Sequence, residues 1–365
     1  MHDSRPRILV VGAGLAGLGA AWHLAPHARV TVLEQGEHPL AEASAQNAGM
    51  VRRLVIGDHE RELAVRSDAR LRELPQGPGD DWHELAPFRR TGAVLALEHD
   101  DGRLDAAARD LRARGITVDE PSLSRVARIA PALRGAPLAR IFHVPDEGTC
   151  DAWSLGQGLL RGALRHGARL RLGVRVLRLH ARAGRIVGAS TSDGAEDADL
   201  VVIAAGAWSS SLARGLGVER TLTPRARHLF QSTPHPTFAA ASPHPWCWID
   251  DAGLYLRPEA GGFLMSPCDE TDETPAEGPG SRGAPREEAR DSLVQKLTRL
   301  CPTLADLGIG AGWVGYRTFT PSRAPLCGRD PEIDGLAWIA GLGGFGVTCA
   351  LALAEDLTRA LCVAR

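Results

Sequence analysis

The chain contains little lysine, few aromatic residues and no long apolar run. Of its 365 residues, one is a lysine, Lys296, and two are tyrosines. The net charge is −2 at pH 7, so the charge balance does not predict binding to nucleic acid or to an anionic membrane. No apolar run reaches the length of about 20 residues that a membrane helix needs. We therefore predict a cytoplasmic protein with no integral membrane segment.

The cysteines do not form a recognisable pattern. There are seven of them, dispersed along the chain, and none forms a CxxC pair. An odd and scattered set is typical of reduced thiols rather than of a disulfide framework. No His, Cys and Asp residues cluster at the spacing of metal ligands either, so the sequence predicts no metal site.

Glycines, by contrast, form a pattern at the N-terminus. Residues 8–11 are apolar and lead into Gly12, Gly14 and Gly17, and a second apolar run ends on Glu34. Gly12 permits a tight turn, Gly14 lets the backbone approach a pyrophosphate, and Gly17 lets helix and strand pack closely. An acid about twenty residues further on can accept hydrogen bonds from ribose hydroxyls. The sequence therefore predicts a βαβ unit that binds an adenine dinucleotide.

The same stretch has an alternative interpretation as a secretory signal, because Arg5 and Arg7 precede apolar residues up to Trp22. Two features count against this interpretation. The apolar stretch contains glycines at the dinucleotide-binding spacing, and a strand with a terminal acid follows it instead of a cleavage site.

Periodicity and breaker residues indicate the remaining elements. Helices are predicted at 60–74, 105–114, 154–165, 286–300 and 347–361. Strands are predicted at 91–97, 170–179, 185–191, 199–205, 228–231, 254–257, 263–266 and 336–340, with 170–179 and 185–191 forming a hairpin. The acidic, Gly- and Pro-rich residues 269–285 are predicted to be a solvated loop.

Two further glycine signals lie far from the first. The apolar run 200–205 ends on small residues, Ala205 and Gly206, and residues 341–348 form a glycine cluster before the last helix. Each could be a plain turn without a ligand. Each could also border a cofactor, because backbone N–H groups at a helix start stabilise negative charge. FAD has to be held at its adenosine end and at its ring end, so two distant sites favour FAD over NAD.

Five segments together resemble the FAD-dependent D-amino acid oxidase and dehydrogenase superfamily, which includes glycine oxidase, sarcosine oxidase and D-arginine dehydrogenase. They are residues 11–17, 44–49, 204–208, 313–321 and 343–348. The order of Arg227, residues 254–261 and residues 315–317 is most similar to the D-arginine dehydrogenase branch. The resemblance implies an α/β chain with a Rossmann-type, GR2-like FAD-binding domain and an interleaved α+β substrate domain on a mixed sheet. We expect residues 1–85, 145–222 and 320–365 in the first domain, and 86–144 and 223–319 in the second.

The resemblance also implies which residues hold noncovalent FAD. Those expected in the first unit and after it are Gly12, Gly14, Leu15, Ala16, Gly17, Glu34, Gln35, Ser44, Asn47, Ala48, Gly49 and Met50. Those expected later in the chain are Val176, Ala205, Gly206, Gly343, Gly344, Phe345, Gly346, Val347 and Thr348.

Catalytic roles are implied for Arg317, Tyr255 and Arg227, which would bind the carboxylate of an amino acid. The planar fork of arginine suits this task. A surface ion pair for an arginine and a core position for the tyrosine remain open alternatives. Arg52 is a candidate neighbour of the flavin ring. His228 and His83 are candidate bases by residue type alone, for which a solvated position is the other interpretation, and Glu84 is a candidate contact for a cationic side chain.

The resemblance implies oxidation of a small amino acid, expected to be a D-amino acid, by hydride transfer from Cα to flavin N5. The imino acid would hydrolyse to a 2-oxo acid and ammonia, and oxygen or another acceptor would reoxidise the flavin. Oxidation of a secondary or N-substituted amino acid stays open, as does a flavin tailoring enzyme that acts on a larger amine. An NAD-binding regulatory protein without chemistry is a further alternative.

Overall fold

The computed structural model describes residues 5–74, 85, 87–236, 238, 244–276, 278 and 283–362. These residues form a mixed α/β fold. The first ten strands are β1 (Arg7–Val11), β2 (Arg29–Leu33), β3 (Met50–Val51), β4 (Phe88–Arg90), β5 (Ala93–Leu97), β6 (Arg140–Val144), β7 (Gly148–Cys150), β8 (Arg169–Arg171), β9 (Val176–Arg182) and β10 (Arg185–Thr191). The remaining strands are β11 (Gly194–Asp197), β12 (Leu200–Ile203), β13 (Thr223–Ser232), β14 (Trp246–Ile249), β15 (Leu254–Glu259), β16 (Gly262–Ser266), β17 (Thr271–Asp272), β18 (Ile309–Phe319), β19 (Leu326–Arg329) and β20 (Leu336–Ala340). The α-helices are α1 (Leu15–Leu24), α2 (Asp58–Glu73), α3 (Asp105–Ala113), α4 (Leu123–Ile129), α5 (Ala152–Arg165), α6 (Ser209–Arg214), α7 (Glu287–Leu300) and α8 (Gly346–Cys362).

A six-stranded sheet contains the N-terminal βαβ unit. Its strand order is β19-β20-β12-β1-β2-β8, and every neighbouring pair except β19 and β20 is parallel. The central strands are continuously apolar because both faces of the sheet are covered. Leu18 of α1, Leu159 of α5 and Leu353 of α8 belong to the core on one face, and the small sheet β11-β10-β9 covers the other.

A second, mixed sheet has eight strands. Its order is β17-β13-β16-β15-β14-β5-β6, and β18 pairs with the other edge of β13. Helices α4 and α7 cover one face, where Leu293 and Leu297 belong to the core. The opposite face carries a small apolar cluster that includes Leu229 and Tyr255. The fold therefore places β13, β15 and β18 so that one side of each can face a site.

The predicted elements are confirmed with small shifts at their ends, except for the strand at 170–179. This segment forms two strands in different sheets, because β8 belongs to the parallel sheet and β9 pairs with β10. The chain turns at Gly173, whose φ is +68°. The amides of Gly173 and Val174 donate to the carbonyls of Gly36 and Glu34 instead of continuing the strand.

The prediction of a solvated loop at 269–285 is wrong at its beginning. Thr271 and Asp272 form β17 against β13, and the side chains of Asp269 and Glu270 are bonded to His228 and to arginines. An acidic run favours a solvated loop, but here Glu270 pairs with Arg225 and Arg227 of the distant strand β13, and Asp269 is bonded to His228 of the same strand. Residues 277 and 279–282 of this segment lie outside the described residues.

All seven cysteines are free thiols, and burial raises the pKa of six of them: Cys150, Cys247, Cys268, Cys301, Cys327 and Cys349. In the described part of the chain, no helix is both long enough and apolar enough to cross a membrane.

Candidate active site

A cavity of about 860 Å³ opens where the strands of the parallel sheet end. It is lined by residues from all three glycine-rich segments, so the fold brings together signals that lie more than 300 residues apart in sequence. The predicted cofactor residues that line it are Gly12, Gly14, Leu15, Ala16, Glu34, Gln35, Ser44, Asn47, Val176, Ala205, Gly206, Gly343, Gly344, Gly346 and Val347. Six others do not line it directly: Gly17, Ala48, Gly49, Met50, Phe345 and Thr348.

Backbone carbonyl groups pack closely against the first glycine turn. A Cβ on Gly12 would lie 2.5 Å from the carbonyl oxygen of Ala204, and the φ of Gly12 is +107°. A Cβ on Gly17 would lie 1.9 Å from the carbonyl oxygen of Gly12, so Gly17 serves the packing of α1 on the turn. These two contacts require glycine and leave the cavity side of the turn open.

Glu34 anchors the glycine turn from the end of β2. Its Oε2 accepts a hydrogen bond from the Ala13 amide at 2.8 Å, and its Oε1 accepts one from the Gly36 amide at 2.9 Å. Burial raises the pKa of Glu34, against these backbone hydrogen bonds that favour the ionised form. Each carboxylate oxygen keeps a second lone pair, so the expected contact with a ribose is compatible with both bonds.

The segment after β2 folds across the start of α1. The Ser44 hydroxyl accepts from the Leu15 amide at 3.0 Å, and Asn47 Nδ2 donates to the Ser44 carbonyl at 2.7 Å. Asn47 Oδ1 in turn accepts from the Gly49 amide at 2.7 Å. These local bonds hold the predicted cofactor segment 44–50 against the N-terminus of α1.

The C-terminal glycine loop is held by contacts beneath it. A Cβ on Gly343 would lie 2.5 Å from Cε1 of Phe319, so the loop lies directly on this ring. Thr348 Oγ1 donates to the Met50 carbonyl at 3.3 Å and accepts from the Arg52 amide at 3.4 Å. Met50 and Thr348 therefore join the two predicted cofactor segments rather than line the cavity.

Arg317 lines the cavity from β18 and is 6% exposed. Its Nη2 donates to the Gln46 carbonyl at 2.9 Å and its Nη1 to the Tyr316 carbonyl at 3.1 Å. Among the described residues, no carboxylate lies within 4.0 Å of this guanidinium. Burial lowers the pKa of Arg317, as expected for a cation that lacks an adjacent anion. The surface ion pair considered from sequence is therefore not what the fold forms.

Tyr255 and Arg227 lie beside Arg317 rather than in the wall of the cavity. Tyr255 is 3% exposed, and it lies close enough to Arg317 to raise the pKa of that guanidinium against the effect of burial. Burial raises the pKa of Tyr255, so the phenol stays protonated and can donate. Arg227 is 7% exposed. Burial lowers the pKa of Arg317, the positive charge of Arg227 lowers it further, and Tyr255 acts in the opposite direction. The fold thus brings the three predicted carboxylate ligands into one cluster.

Arg52 belongs to the same region, whereas Arg53 does not. The guanidinium carbon of Arg52 lies 4.0 Å from the ring centre of Trp248 and 4.9 Å from that of Phe345. The Trp248 ring centre in turn lies 5.1 Å from that of Tyr255. Arg53 instead forms a buried ion pair with Asp68 at 3.0 Å.

The structure describes one of the two candidate bases, His228. A solvated position for His228 is wrong, since the residue is 1% exposed and its Nδ1 lies 2.6 Å from Asp269 Oδ2. His83 and Glu84 lie outside the described residues.

The comparisons with known proteins agree with this geometry. The family described as FAD-dependent oxidoreductase, of the DAO type, matches residues 7–360. The chain belongs to this family. The resemblance and the mixed α/β fold inferred from the sequence are thereby confirmed, and the protein is an FAD-dependent oxidoreductase. The match to an FAD-dependent family contradicts the alternative of an NAD-binding protein.

Two curated relatives and one solved structure illustrate the range of the family. The glycine oxidase of Pseudomonas aeruginosa is 30% identical over 339 residues, which are 91% of this chain and 88% of the relative. The D-amino acid dehydrogenase of Cereibacter sphaeroides is 30% identical over 284 residues, 75% of this chain and 62% of the relative, so the match spans less than two thirds of that protein. The L-proline dehydrogenase from P. horikoshii superposes with a TM-score of 0.86 at 20% identity, over 99% of this chain and 94% of that one, which shows the shared fold.

The residues present fit FAD. The cavity is within the size range of cofactor sites, about 300–1,000 Å³. Any side chain at Gly12 would clash with the Ala204 carbonyl, so the turn is built for glycine. The N-termini of α1 and α8 both border the cavity, and helix N-termini favour a negatively charged group such as a pyrophosphate. Gly14–Ala16 and Glu34 would hold the adenosine end, and Gly343–Val347 the ring end.

Several neighbours of the site were missed by the sequence reasoning. They include Trp248, Trp313, Cys268, Asp269 and Glu270, which lie near Tyr255 and Arg227. For Glu270 a signal was available, because an arginine pair at 225 and 227 on one strand face requires nearby carboxylates if it is buried. The sequence alone does not identify which acidic residues provide these carboxylates.

Proposed function

We propose that this protein oxidises a small α-amino acid, preferentially the D enantiomer, at its CH–NH₂ group. The observation that supports this proposal best is Arg317, a buried guanidinium that lines the cavity without a carboxylate partner among the described residues. Burying an unpaired cation is costly unless an anion joins it. The carboxylate of an amino acid would be that anion.

Each residue of the cluster has a defined task in this proposal. Arg317 donates two hydrogen bonds to the substrate carboxylate, and the protonated Tyr255 phenol donates a third. Arg227 adds positive charge next to them. Fixing the carboxylate in this way also fixes Cα, which is the positioning that a hydride donor needs.

The substrate must release a hydride from Cα, and it can do so only when its amine is neutral. Arg52 and Arg227 are paired with Asp250 and Glu270, whereas Arg317 has no carboxylate partner among the described residues, so its charge disfavours an ammonium group nearby. Arg317 therefore favours the anionic form of the amino acid, with a carboxylate and a free amine. No side chain has to act as the base in this scheme, because solvent can take the ammonium proton.

FAD, when bound noncovalently, supplies the acceptor for the two electrons and one proton removed as hydride. The product is an imino acid, and addition of water releases ammonia and leaves a 2-oxo acid. The reduced protein then needs oxygen or another electron acceptor. The D preference is supported by the D-amino acid dehydrogenase relative and by the order of Arg227, Tyr255 and Arg317.

The test is the absorbance spectrum of the purified, yellow protein before and after anaerobic addition of amino acids. Loss of the flavin band with a pool of D-amino acids, but not with L-amino acids, is the expected result. Bleaching by the L pool alone would overturn the D preference. A flavin band that survives both pools but is lost with N-methylglycine would replace the proposal with oxidation of an N-substituted amino acid, and survival with all of them would point to a larger amine.

A further inference from the structure

The edge of β13 that borders the site is interrupted. It pairs with β17 at Arg225 and Ala226 and with β16 at Phe230 and Gln231. Opposite residues 227–229, the segment that connects β16 to β17 departs from strand geometry at Cys268, whose φ is +54°. The Asp269 side chain fills this gap, because its Oδ1 accepts from the His228 amide at 3.0 Å.

The interruption determines how Arg227 is held. Its Nε donates to the Asp269 carbonyl at 2.8 Å, and its Nη2 donates to Glu270 Oε1 at 2.8 Å. Nη1 makes no hydrogen bond to any residue in the described ranges. One side of the guanidinium is therefore fixed by residues 269 and 270, and the remaining nitrogen is left for another acceptor.

Glu270 is bonded to two further arginines. Arg225 Nη1 donates to Glu270 Oε2 at 2.9 Å, and Arg323 Nη2 lies 3.0 and 3.1 Å from the two carboxylate oxygens. Burial raises the pKa of Glu270, but Arg225, Arg227 and Arg323 outweigh it and keep the pKa below its usual value. Glu270 is consequently ionised at neutral pH and binds three guanidinium groups.

One of these arginines leads back to the cofactor loop. The Arg323 guanidinium carbon lies 4.2 Å from the ring centre of Phe319. Gly343 rests on the same ring. A continuous set of contacts thus runs from the C-terminal glycine loop through Phe319, Arg323 and Glu270 to Arg227.

We propose that Glu270 is a positioning residue that orients Arg227 toward the substrate carboxylate and links it to the Phe319–Gly343 contact. The proposal rests on the proposed function in one respect, namely that Arg227 binds a carboxylate. Glu270 itself does not touch the substrate. The carboxylate of Glu270 lowers the net positive charge around Arg227, but its main effect is to restrict the guanidinium to one orientation.

The test compares Glu270→Ala and Glu270→Gln in the flavin-loaded enzyme. The readouts are the steady-state KM and kcat for the amino acid that bleaches the flavin, and the Kd of benzoate, used as a carboxylate probe and followed through the flavin spectrum. For Glu270→Ala we expect KM and the benzoate Kd to rise about tenfold, with kcat within about threefold of wild type. Glu270→Gln keeps an acceptor for Arg227 and should show a smaller rise, of about threefold.

Glu332→Ala is the matched control, because Glu332 is an exposed carboxylate whose Oε1 also accepts from an arginine, Arg220, at 2.7 Å, and neither residue lines the cavity. We expect its KM and benzoate Kd to equal those of wild type. Should Glu270→Ala fail to fold, Arg323→Gln removes the link between Glu270 and Phe319 from an exposed position, and we expect a rise in the benzoate Kd of about threefold.

Opposite results would overturn the proposal. Tighter benzoate binding in Glu270→Ala would mean that Glu270 only neutralises Arg227, and an unchanged Kd would mean that it does not act on the site. Benzoate binding needs no turnover, so it separates this proposal from the proposed function. If no amino acid bleaches the flavin but the Kd rises as expected, the role of Glu270 stands and the substrate assignment fails. If benzoate does not bind to the wild type, Glu270 has no carboxylate site to organise and the proposal is wrong.

Discussion

The guanidinium of Arg52 lies over the ring of Trp248, with its central carbon 4.0 Å from the ring centre. Phe345, in the C-terminal glycine loop, lies 4.9 Å from the same carbon. Residues from three distant parts of the chain therefore stack on each other, between Tyr255 on one side and the C-terminal glycine loop on the other. Because a planar guanidinium stacks on aromatic rings in a way that an ammonium does not, this arrangement can be tested with a charge-conserving substitution.

Arg52→Lys should weaken the retention of FAD. We expect the rate of flavin release from the holoenzyme, followed by the fluorescence of free FAD, to rise about three- to tenfold, the effect of losing a stacking contact of about 1 kcal/mol. Arg103→Lys is the control, because Arg103 lies 3.8 Å from the same Asp250 that pairs with Arg52 at 3.5 Å. Equal release rates in the two variants would show that charge near Asp250, and not stacking, matters here.

Gly12→Ala should yield a protein with little bound flavin. The new Cβ would meet the Ala204 carbonyl at 2.5 Å, and the residue would have to keep a φ of +107°. Gly217→Ala separates the two effects, since Gly217 has a φ of +76° but nothing within 4 Å of the added Cβ. The control should lose about 1 kcal/mol of stability and keep its flavin. The ratio of flavin to protein absorbance after purification measures the outcome, and a flavin-replete Gly12→Ala protein would contradict the assigned role of the turn.

Arg317→Lys should lower kcat/KM by about 100-fold, because an ammonium cannot replace the two parallel donors of a guanidinium. The flavin content should stay close to that of wild type. Arg290→Lys is the control, since Arg290 also donates to backbone carbonyls, those of Ile309 and Gly310, but from α7 on the other face of the sheet. A similar loss of kcat/KM in both variants would indicate a structural rather than a substrate-binding role for Arg317.

Glu147 should make stability depend on pH. The carboxyl is 0% exposed, and its Oε1 accepts from the amides of Arg53 at 2.5 Å and Leu54 at 3.3 Å. Burial raises the pKa of Glu147 to about 7, although Arg53 and the backbone amides act in the opposite direction. The folded state thus holds its proton more tightly than the unfolded state, so this contribution to stability is complete below the unfolded pKa of about 4.5 and is lost as the pH rises through 7.

Urea unfolding at several pH values from 5 to 8 measures this contribution. The free energy of unfolding of the wild type should fall, relative to that of Glu147→Gln, by about 3 kcal/mol across this range. Glu62→Gln is the control. It removes an exposed carboxylate from α2, the helix that also carries Asp68 near Glu147, and its pH curve should follow that of the wild type. Parallel pH curves for wild type and Glu147→Gln would refute the prediction.

Much of the site was predictable because its signals are local. The glycines at 12, 14 and 17 and the acid at 34 define a turn and its anchor within one βαβ unit. The structure places Gly12, Gly14 and Glu34 at the cavity and Gly17 in the packing of α1 on the turn. The predicted roles of Arg317, Tyr255 and Arg227 come from the family resemblance, which already contains tertiary information, and they stay predictions. The segments 170–179 and 269–285 were misjudged for a common reason. A positive φ at Gly173 and the distant partners of the Asp269 and Glu270 side chains, His228 and Arg227, leave no periodic trace in the sequence.

By itself, the sequence determined the glycine turns, the apolar strands and the helices, because backbone conformation and burial pattern follow from neighbouring residues. Only the tertiary structure decided which charges meet. Arg317 received no carboxylate among the described residues, Arg227 received Glu270, and Arg52 came to lie between Trp248 and Phe345. These partners are 43 to 293 residues apart in sequence where they meet. Electrostatic and stacking contacts depend on distance in space, so the chain order alone does not reveal them.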